Sequence, residues 1–403
     1  MRRVLAGLLL QSVTVTVGAQ PTLTARMDGQ LARLQPALIA FRRDLHRHPE
    51  PSGEERRTAQ RVAQRLRRLG LEVRTGVGGH GVVAVLRGGK PGPVVAYRAD
   101  LDAVRTDDRD PVAFRSRRAG VRHSCGHDVH ITIGLALAEA FGAVRRDLPG
   151  TIIFVFQPAE ESATGALAML AADVWRSGEP AAIYALHTAP LPVGTLGTIA
   201  GDLMAGRDHF TVTVSGDRHL DEAAREVRRR IEQLGTVPPD QALRPAPQDL
   251  VLVEPISELT RDGVRELRGR LSATSLSRPR VSAGLDALRS LAIPGVRIDV
   301  QYTPRAIAGV TNEAALTVRA VEALAGAIGV SSVLSLPEIV PAFSEDFGAF
   351  QARVPGVFFF LGVSNPATGT VGMPHTADYV ADEGAILVGA RAMVAVLLDR
   401  LQR

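Results

Sequence analysis

Helical and strand patterns alternate along this chain, which predicts an α/β fold. Two further observations support it. Several strand-like runs lead directly into ionisable residues at their C-terminal ends, where open α/β sheets place their ligands. Hydrophobic residues make up 45% of the 403 residues and charged ones 22%, an ordinary globular balance with enough apolar mass for a large core. The length predicts two or three domains, and we expect one large and one small.

Residues 31–48 carry apolar side chains at helical spacing, and a second helix over 54–69 is closed by Gly70, the residue type favoured just past a helix end. Short β-rich runs follow at 81–86 and 94–97, bounded by glycine and proline, and the second feeds into Arg98-Ala-Asp-Leu-Asp102. A helix is expected over 131–141, a buried strand over 151–156, and another strand over 182–186 that runs into His187. Further on, 210–214 reads as a strand and 222–234 as a helix. Strands are expected at 251–259 and 264–273, and Pro294-Gly295 precedes a last strand at 296–302.

The start of the chain bears on the compartment. Met1-Arg2-Arg3 is a short basic region, residues 4–17 are mostly apolar, and Val17-Gly18-Ala19 before Gln20-Pro21 has the small residues of a cleavage site. This order predicts a signal peptide over 1–19 and an exported chain, periplasmic or secreted. The apolar run is shorter than the ~20 residues a membrane span needs, and Gln11, Ser12, Thr14 and Thr16 interrupt it. A single cysteine excludes an intrachain disulfide, so the exported chain must be held by its core and any bound metal. The formal net charge of +5 includes Arg2 and Arg3, and the other arginines are interspersed with acids. With aromatics at only 4%, nothing predicts a nucleic-acid partner.

The run His123-Ser-Cys-Gly-His-Asp-Val-His130 places the only cysteine beside three histidines. A lone cysteine is ordinarily a small buried hydrophobe, but a thiolate and neutral imidazoles are also good ligands for zinc and similar ions, and Cys125 and His127 are close enough to share one centre. At the next strand end stands Gln157-Pro-Ala-Glu160-Glu161. Adjacent glutamates on a strand point to opposite sides, so one could bind metal while the other serves as a general base. His187 is the third such strand end. Each alone would pass for a surface acid or a core histidine; their recurrence at successive strand ends favours a site.

These segments resemble the amidohydrolase branch of the aminoacylase and carboxypeptidase metallopeptidase family, which includes hippurate hydrolases and hydrolases of auxin-amino-acid conjugates. The resemblance rests on Arg42-Arg-Asp-Leu-His-Arg-His-Pro-Glu50, Arg98-Ala-Asp-Leu-Asp102, the His123–His130 run, Phe156-Gln-Pro-Ala-Glu-Glu161, Leu186-His187 with Pro192-Val-Gly194, Ser344-Glu-Asp-Phe347, and Pro374-His375. It covers most of residues 38–202 and 311–403. It implies a metallopeptidase-type catalytic domain, a mixed central sheet flanked by helices, formed by 20–202 and 311–403, with a smaller α+β lid domain inserted at 203–310. It also implies that Cys125, His127, Glu161, His187 and His375 hold two divalent ions, zinc or manganese before cobalt or nickel, with Glu160 as the general base toward a metal-activated water. Asp100 and Asp102 would orient a ligating histidine, with Asp102 ranked first.

The lid departs from the family pattern. Where the family has a glycine-rich loop ending in a histidine that reaches the substrate carbonyl across a homodimer, this chain reads Ser215-Gly-Asp-Arg-His-Leu220, with His219 in that place. Ser272 stands where the family commonly shows an arginine for a substrate carboxylate, with Arg268 and Arg270 as possible substitutes. The expected function is an exported amidohydrolase for N-acyl amino acids or short peptides, a small-molecule partner, with a homodimer through the lid as an open possibility. The alternatives are an exported amino- or carboxypeptidase of the same family and a non-catalytic metal- or ligand-binding protein with a degenerate lid.

Overall fold

The strands expected at 81–86, 94–97, 151–156 and 182–186 prove longer than their apolar runs and lie side by side in one sheet, whereas that expected at 251–259 is two short strands, Val251–Val253 and Ser257–Arg261, of a second sheet. The computed structural model describes residues 22–403, and the expected signal peptide lies outside the described residues. The large sheet has eight strands in the order Glu72–Val77, Gly81–Arg87, Pro149–Gln157, Lys90–Asp100, Ile183–Pro192, Gly356–Ser364, Leu196–Thr198, Val333–Ser335. Four central strands, from Pro149–Gln157 to Gly356–Ser364, are parallel to one another, while the hairpin at one edge and Leu196–Thr198 at the other run antiparallel to their inner neighbours. The sheet is therefore mixed.

Side chains of the central strands alternate between two cores, as a period of two requires. Val82, Ala84, Leu86, Ile152, Phe154 and Phe156 join the cluster under the helices Leu23–Arg47, His127–Ala143 and Gly384–Leu401. Val83, Ile153 and Val155 point the other way, against Ala166, Met169, Phe347, Phe350 and Phe358. Burial on both faces explains why these strands read as continuous apolar runs.

A smaller, separate sheet domain lies between the two parts of this body. Its strands Val251–Val253, Val264–Ala273, Gly206–Gly216 and Val296–Ile307 are antiparallel neighbours in that order, and Ser257–Arg261 also pairs with Val264–Ala273. The helices Leu220–Glu232 and Arg278–Arg289 cover one face, burying Phe210, Val212, Val214, Leu267 and Leu271 with Val227, Ile231 and Leu285. The residues between them, Arg207, His209, Thr211 and Thr213, take the opposite face. The helix Arg278–Arg289 was not anticipated, since its Arg- and Ser-rich start hides the apolar spacing of Val281, Leu285 and Leu288.

The two domains connect where Gly206 and Gly309 touch. A Cβ on Gly309 would meet Gly206 N at 2.7 Å, and one on Gly206 would meet Gly309 N at 2.9 Å, so only glycine lets the two crossings run together. Beside this crossing, Gly201–Met204 pairs with Val310–Asn312, and Leu203, Met204 and Val310 pack in the body's second core.

Candidate metal centre and active site

The helix expected to begin at residue 131 begins at His127, so the histidine-rich run is its first turn. Gly126 holds a left-handed φ of +86° just ahead of it, and a Cβ there would collide with Tyr379 Oη and Thr188 Oγ1. Glycine between Cys125 and His127 is thus a steric requirement. It lets the thiol and the imidazole approach a common point.

That point is shared with residues far away in sequence. Donor atoms of Cys125, His127 and Glu161 lie within 4.8 Å of one another. His187 Nε2 is 3.2 Å from Cys125 Sγ, and His375 Nε2 is 3.2 Å from Glu161 Oε1. All five expected ligands therefore converge, with His375 the most exposed. His187 sits in mid-strand within Ile183–Pro192, since pairing with Gly356–Ser364 carries the strand past it.

The imidazole tautomers suit a cation. His127 Nδ1 lies 2.9 Å from the Asp102 carbonyl oxygen, and His187 Nδ1 lies 2.7 Å from that of Thr188. A carbonyl can only accept, so both Nδ1 atoms carry a proton and both Nε2 atoms are turned to the centre, where each can give its lone pair to a cation. Burial pushes the His127 pKa down, yet Asp100, Asp102 and Glu161 outweigh it and raise it to about 10. For Cys125, burial and then Glu161, Glu160 and Asp100 push the thiol well above its usual value. A concentration of negative charge that favours a proton on His127 and on Cys125 equally favours a divalent cation, which deprotonates a coordinating thiol outright. His127 Nε2 and Glu161 Oε1 are also buried without a hydrogen-bond partner. The donor set fits a metal.

Asp100 and Asp102 divide their work differently from the sequence expectation. Asp102 serves His127 mainly through its backbone carbonyl; its carboxylate stays 3.4 Å from Nδ1 and accepts from Ser52 Oγ and Glu161 N. Asp100 binds His130 Nδ1 at 2.6 Å and the Arg98 guanidinium at 2.6 Å. His130 Nε2 accepts from Thr188 N, so both its nitrogens are committed and it positions rather than ligates.

The adjacent glutamates do not lie on a strand. The strand ends at Gln157, and Glu160 and Glu161 stand in the turn that follows, where Ala159 has a left-handed φ of +54°. Strand alternation no longer applies, and both carboxylates come within 3.7 Å of His127 Nε2. They still face different neighbours. Glu161 joins Cys125 and His127, while Glu160 joins Glu345 and Asp346. Burial, then Glu345, Glu161 and Asp346, pushes the Glu160 carboxyl well above its usual range, which suits a group that must carry a proton.

Glu345 and Asp346, part of the Ser344–Phe347 segment, have a role that the sequence does not reveal. They pair with Arg98, wholly buried, at 2.8 and 3.3 Å, and Gln157 Nε2 donates to Asp346 at 2.7 Å. Burial raises the Glu345 carboxyl and Arg98 opposes it, leaving it at about 7.

The centre opens into a cavity of about 590 Å³. Cys125, Glu160, Glu161, His187, Glu345 and His375 form its ionisable end, and Met204, Leu243, Ile307, Phe343, Phe360 and Met373 its apolar wall. His219 is not among the lining residues; it stands beside Glu222 at 3.3 Å, at the head of the helix Leu220–Glu232. Arg268 and Arg270 are exposed and paired with Glu266 and Glu254.

Comparisons with known proteins agree with this geometry. The profile of peptidase family M20/M25/M40 matches residues 96–399. The chain is 29% identical over 390 residues to thermostable carboxypeptidase 2 of Saccharolobus solfataricus, covering 92% of this chain and 97% of that one. It is 31% identical over 403 aligned positions to N-acetylcysteine deacetylase of Bacillus subtilis, covering 90% and 96%. Among solved structures, the YXEP protein of Bacillus subtilis, described as a dinuclear metal binding peptidase from the M20 family, superposes with a TM-score of 0.78 at 26% identity, covering 92% of this chain and 99% of that one. The chain belongs to the M20/M25/M40 peptidase family and is a metal-dependent hydrolase of amide or peptide bonds.

Proposed function

We propose that this chain is an exported hydrolase that holds two divalent ions, zinc or manganese, and cleaves the amide bond of N-acyl amino acids or short peptides. The observation that carries the reading is the convergence of Cys125, His127, Glu161, His187 and His375 beside the buried Glu160 at one end of a cavity whose wall is largely apolar. An apolar wall suits an acyl group, and the metal end suits its carbonyl. Bound divalent ions would supply Lewis acidity and lower the pKa of water.

The remaining work falls to the protein's own groups. Glu160 faces the cavity and takes the proton of the attacking water on its carboxylate. As the C–N bond breaks it returns that proton to nitrogen, so the amine leaves neutral. Glu345 and Asp346 press negative charge on Glu160 and favour its protonated form between the two steps. His130, fixed by Asp100 and by the Thr188 amide, braces the strand that carries His187.

Residues 1–19 support export, with the mature chain beginning near Gln20; N-terminal sequencing of the chain recovered from an exporting host tests this. Residues 203–310 are taken as the lid domain. For the activity, purified chain loaded with zinc or manganese is assayed against N-acyl amino acids and against free dipeptides. Turnover of blocked amino acids above free dipeptides is expected. The reverse preference assigns the chain to the peptidases, and no turnover with two ions bound favours a binding protein.

A further inference from the structure

The turn that carries Glu160 is held from behind by a glutamate outside the cavity lining. Glu55 stands just ahead of the helix Arg56–Arg68 and is wholly buried. It does not cap that helix with its side chain. Glu50 does so instead, accepting from the Arg57 amide at 3.0 Å and the Thr58 amide at 2.8 Å. The Glu55 carboxyl is thereby left for other work. Its Oε1 accepts from Gly53 N at 2.9 Å and, 104 residues further along the chain, from Ala159 N at 2.8 Å.

Ala159 and Glu161 flank Glu160, and the amide of each is held by a buried carboxyl group. Glu161 N donates to Asp102 Oδ2 at 3.0 Å, and Ser52 Oγ donates to the same oxygen from the loop that leads to Glu55. The bond on the other side carries more strain. Ala159 keeps a left-handed φ of +54°, a conformation disfavoured for alanine and retained only where the surroundings over-determine it. Thr164 N and Gly165 N close the turn on the Ala159 carbonyl at 3.2 and 3.1 Å. With Glu55 on the amide, the peptide groups on both sides of Ala159 are fixed. Glu55 Oε2 is buried without a hydrogen-bond partner, so one oxygen does the holding. Burial raises the Glu55 pKa, the amide bonds oppose this and Asp102 adds to it, leaving it raised. The turn therefore uses an acceptor at the right distance more than a charge.

We propose that Glu55 is a positioning residue for the reaction: by holding the Ala159 amide it fixes the left-handed turn that aims the Glu160 carboxyl into the cavity. The inference rests on the assignment of Glu160 as the base. Reach, not charge, is the property required. A glutamine at this place keeps the length and an acceptor oxygen, whereas an aspartate keeps the charge but is one methylene short.

The test compares Glu55→Gln with Glu55→Asp in metal-loaded protein, by crystal structure and by steady-state hydrolysis of an N-acyl amino acid, with Glu160→Gln assayed beside them. Glu55→Gln is expected to keep the turn and a kcat close to that of the wild type. Glu55→Asp should lose the bond to Ala159, displace the Glu160 carboxyl by about 1 Å and lower kcat about 10–100-fold, the scale of a misplaced reacting group, with KM and metal content unchanged. A Gln variant that falls as far as the Asp variant overturns the proposal, as does a loss of rate that merely follows loss of bound metal. Full kcat in Glu160→Gln would overturn the base assignment, and a turn unmoved in Glu55→Asp overturns the role of Glu55, so the two failures are read separately.

Discussion

The catalytic body and the small domain are both made of strands covered by helices, but they handle charge in opposite ways. In the body, Arg98 with Asp100, His127 beside Asp102, and Asp128 with Arg42 and His46 are fully or almost fully buried charged groups matched at strand ends and a helix start. In the small domain most ion pairs sit at the surface, such as Arg229 with Glu226 and Arg268 with Glu266. Buried charge is costly unless it is matched, so a cluster of it marks where a cation and a reaction are accommodated. The small domain buries only one such carboxylate in its sheet, Asp208, matched by Arg278 and the Tyr302 hydroxyl away from the cavity lining. It contributes Arg207, Leu243 and Ile307 to the cavity wall.

The contrast can be broken most forcefully at Arg98. Arg98→Met leaves Asp100, Glu345 and Asp346 facing one another without their cation, and a loss of about 3–5 kcal/mol is expected in urea unfolding. The matched change Arg229→Ala in the small domain should leave the urea midpoint essentially where it is, because its pair with Glu226 is exposed and screened by solvent. Similar losses at the two sites would remove the distinction between the regions.

Next in size is the metal centre. Cys125→Ala removes the donor nearest to His187 and should weaken metal binding by about 100-fold or more, read by competition with a chromophoric chelator.

A smaller effect is expected at His46, which bridges Asp128 at 2.8 Å and Asp110 at 3.0 Å inside the body. Burial lowers its pKa, but Asp128 and Asp110 outweigh this and leave it raised. The protonated ring therefore contributes stability that is fully present below about pH 6.5 and fades as pH rises through the folded-state value. Unfolding of the wild type and of His46→Gln across pH 5.5–8.5 should show the largest gap at the acid end. A gap that widens toward alkaline pH would contradict this assignment.

The smallest effect is expected at His219. Exposed beside Glu222 and absent from the cavity, it should change kcat/KM by less than about twofold when replaced by alanine. A loss of 100-fold or so would mean that a second copy of the chain brings it to the site, and the small domain would then join in the chemistry.

Much of the body was legible because its signals are local. Runs of β-branched and aromatic residues gave the central strands, Gly70 marked a helix end, Cys125 and His127 stood together in one short run, and Glu161 and His187 followed the ends of apolar runs. His375 carried no such signal; its loop reaches the centre through the His375 amide on the Ser124 carbonyl, a long-range bond that no periodicity reveals. The pairing of Glu160 with Glu345 and Asp346 is hidden for the same reason. Element ends were less legible than element cores, because hydrogen bonding to neighbours extended Lys90–Asp100 and Ile183–Pro192 beyond their apolar runs. Arg207 is one arginine among many in the sequence. Only the crossing at Gly206 and Gly309, which brings it to the cavity, sets it apart.

The most direct test of the account is the hydrolysis rate of metal-saturated Glu160→Gln on an N-acyl amino acid that the wild type cleaves. With the ligand set intact and the metal content equal to that of the wild type, the account predicts a fall in kcat of about 10²–10⁴-fold. An unchanged kcat at full metal occupancy would contradict it.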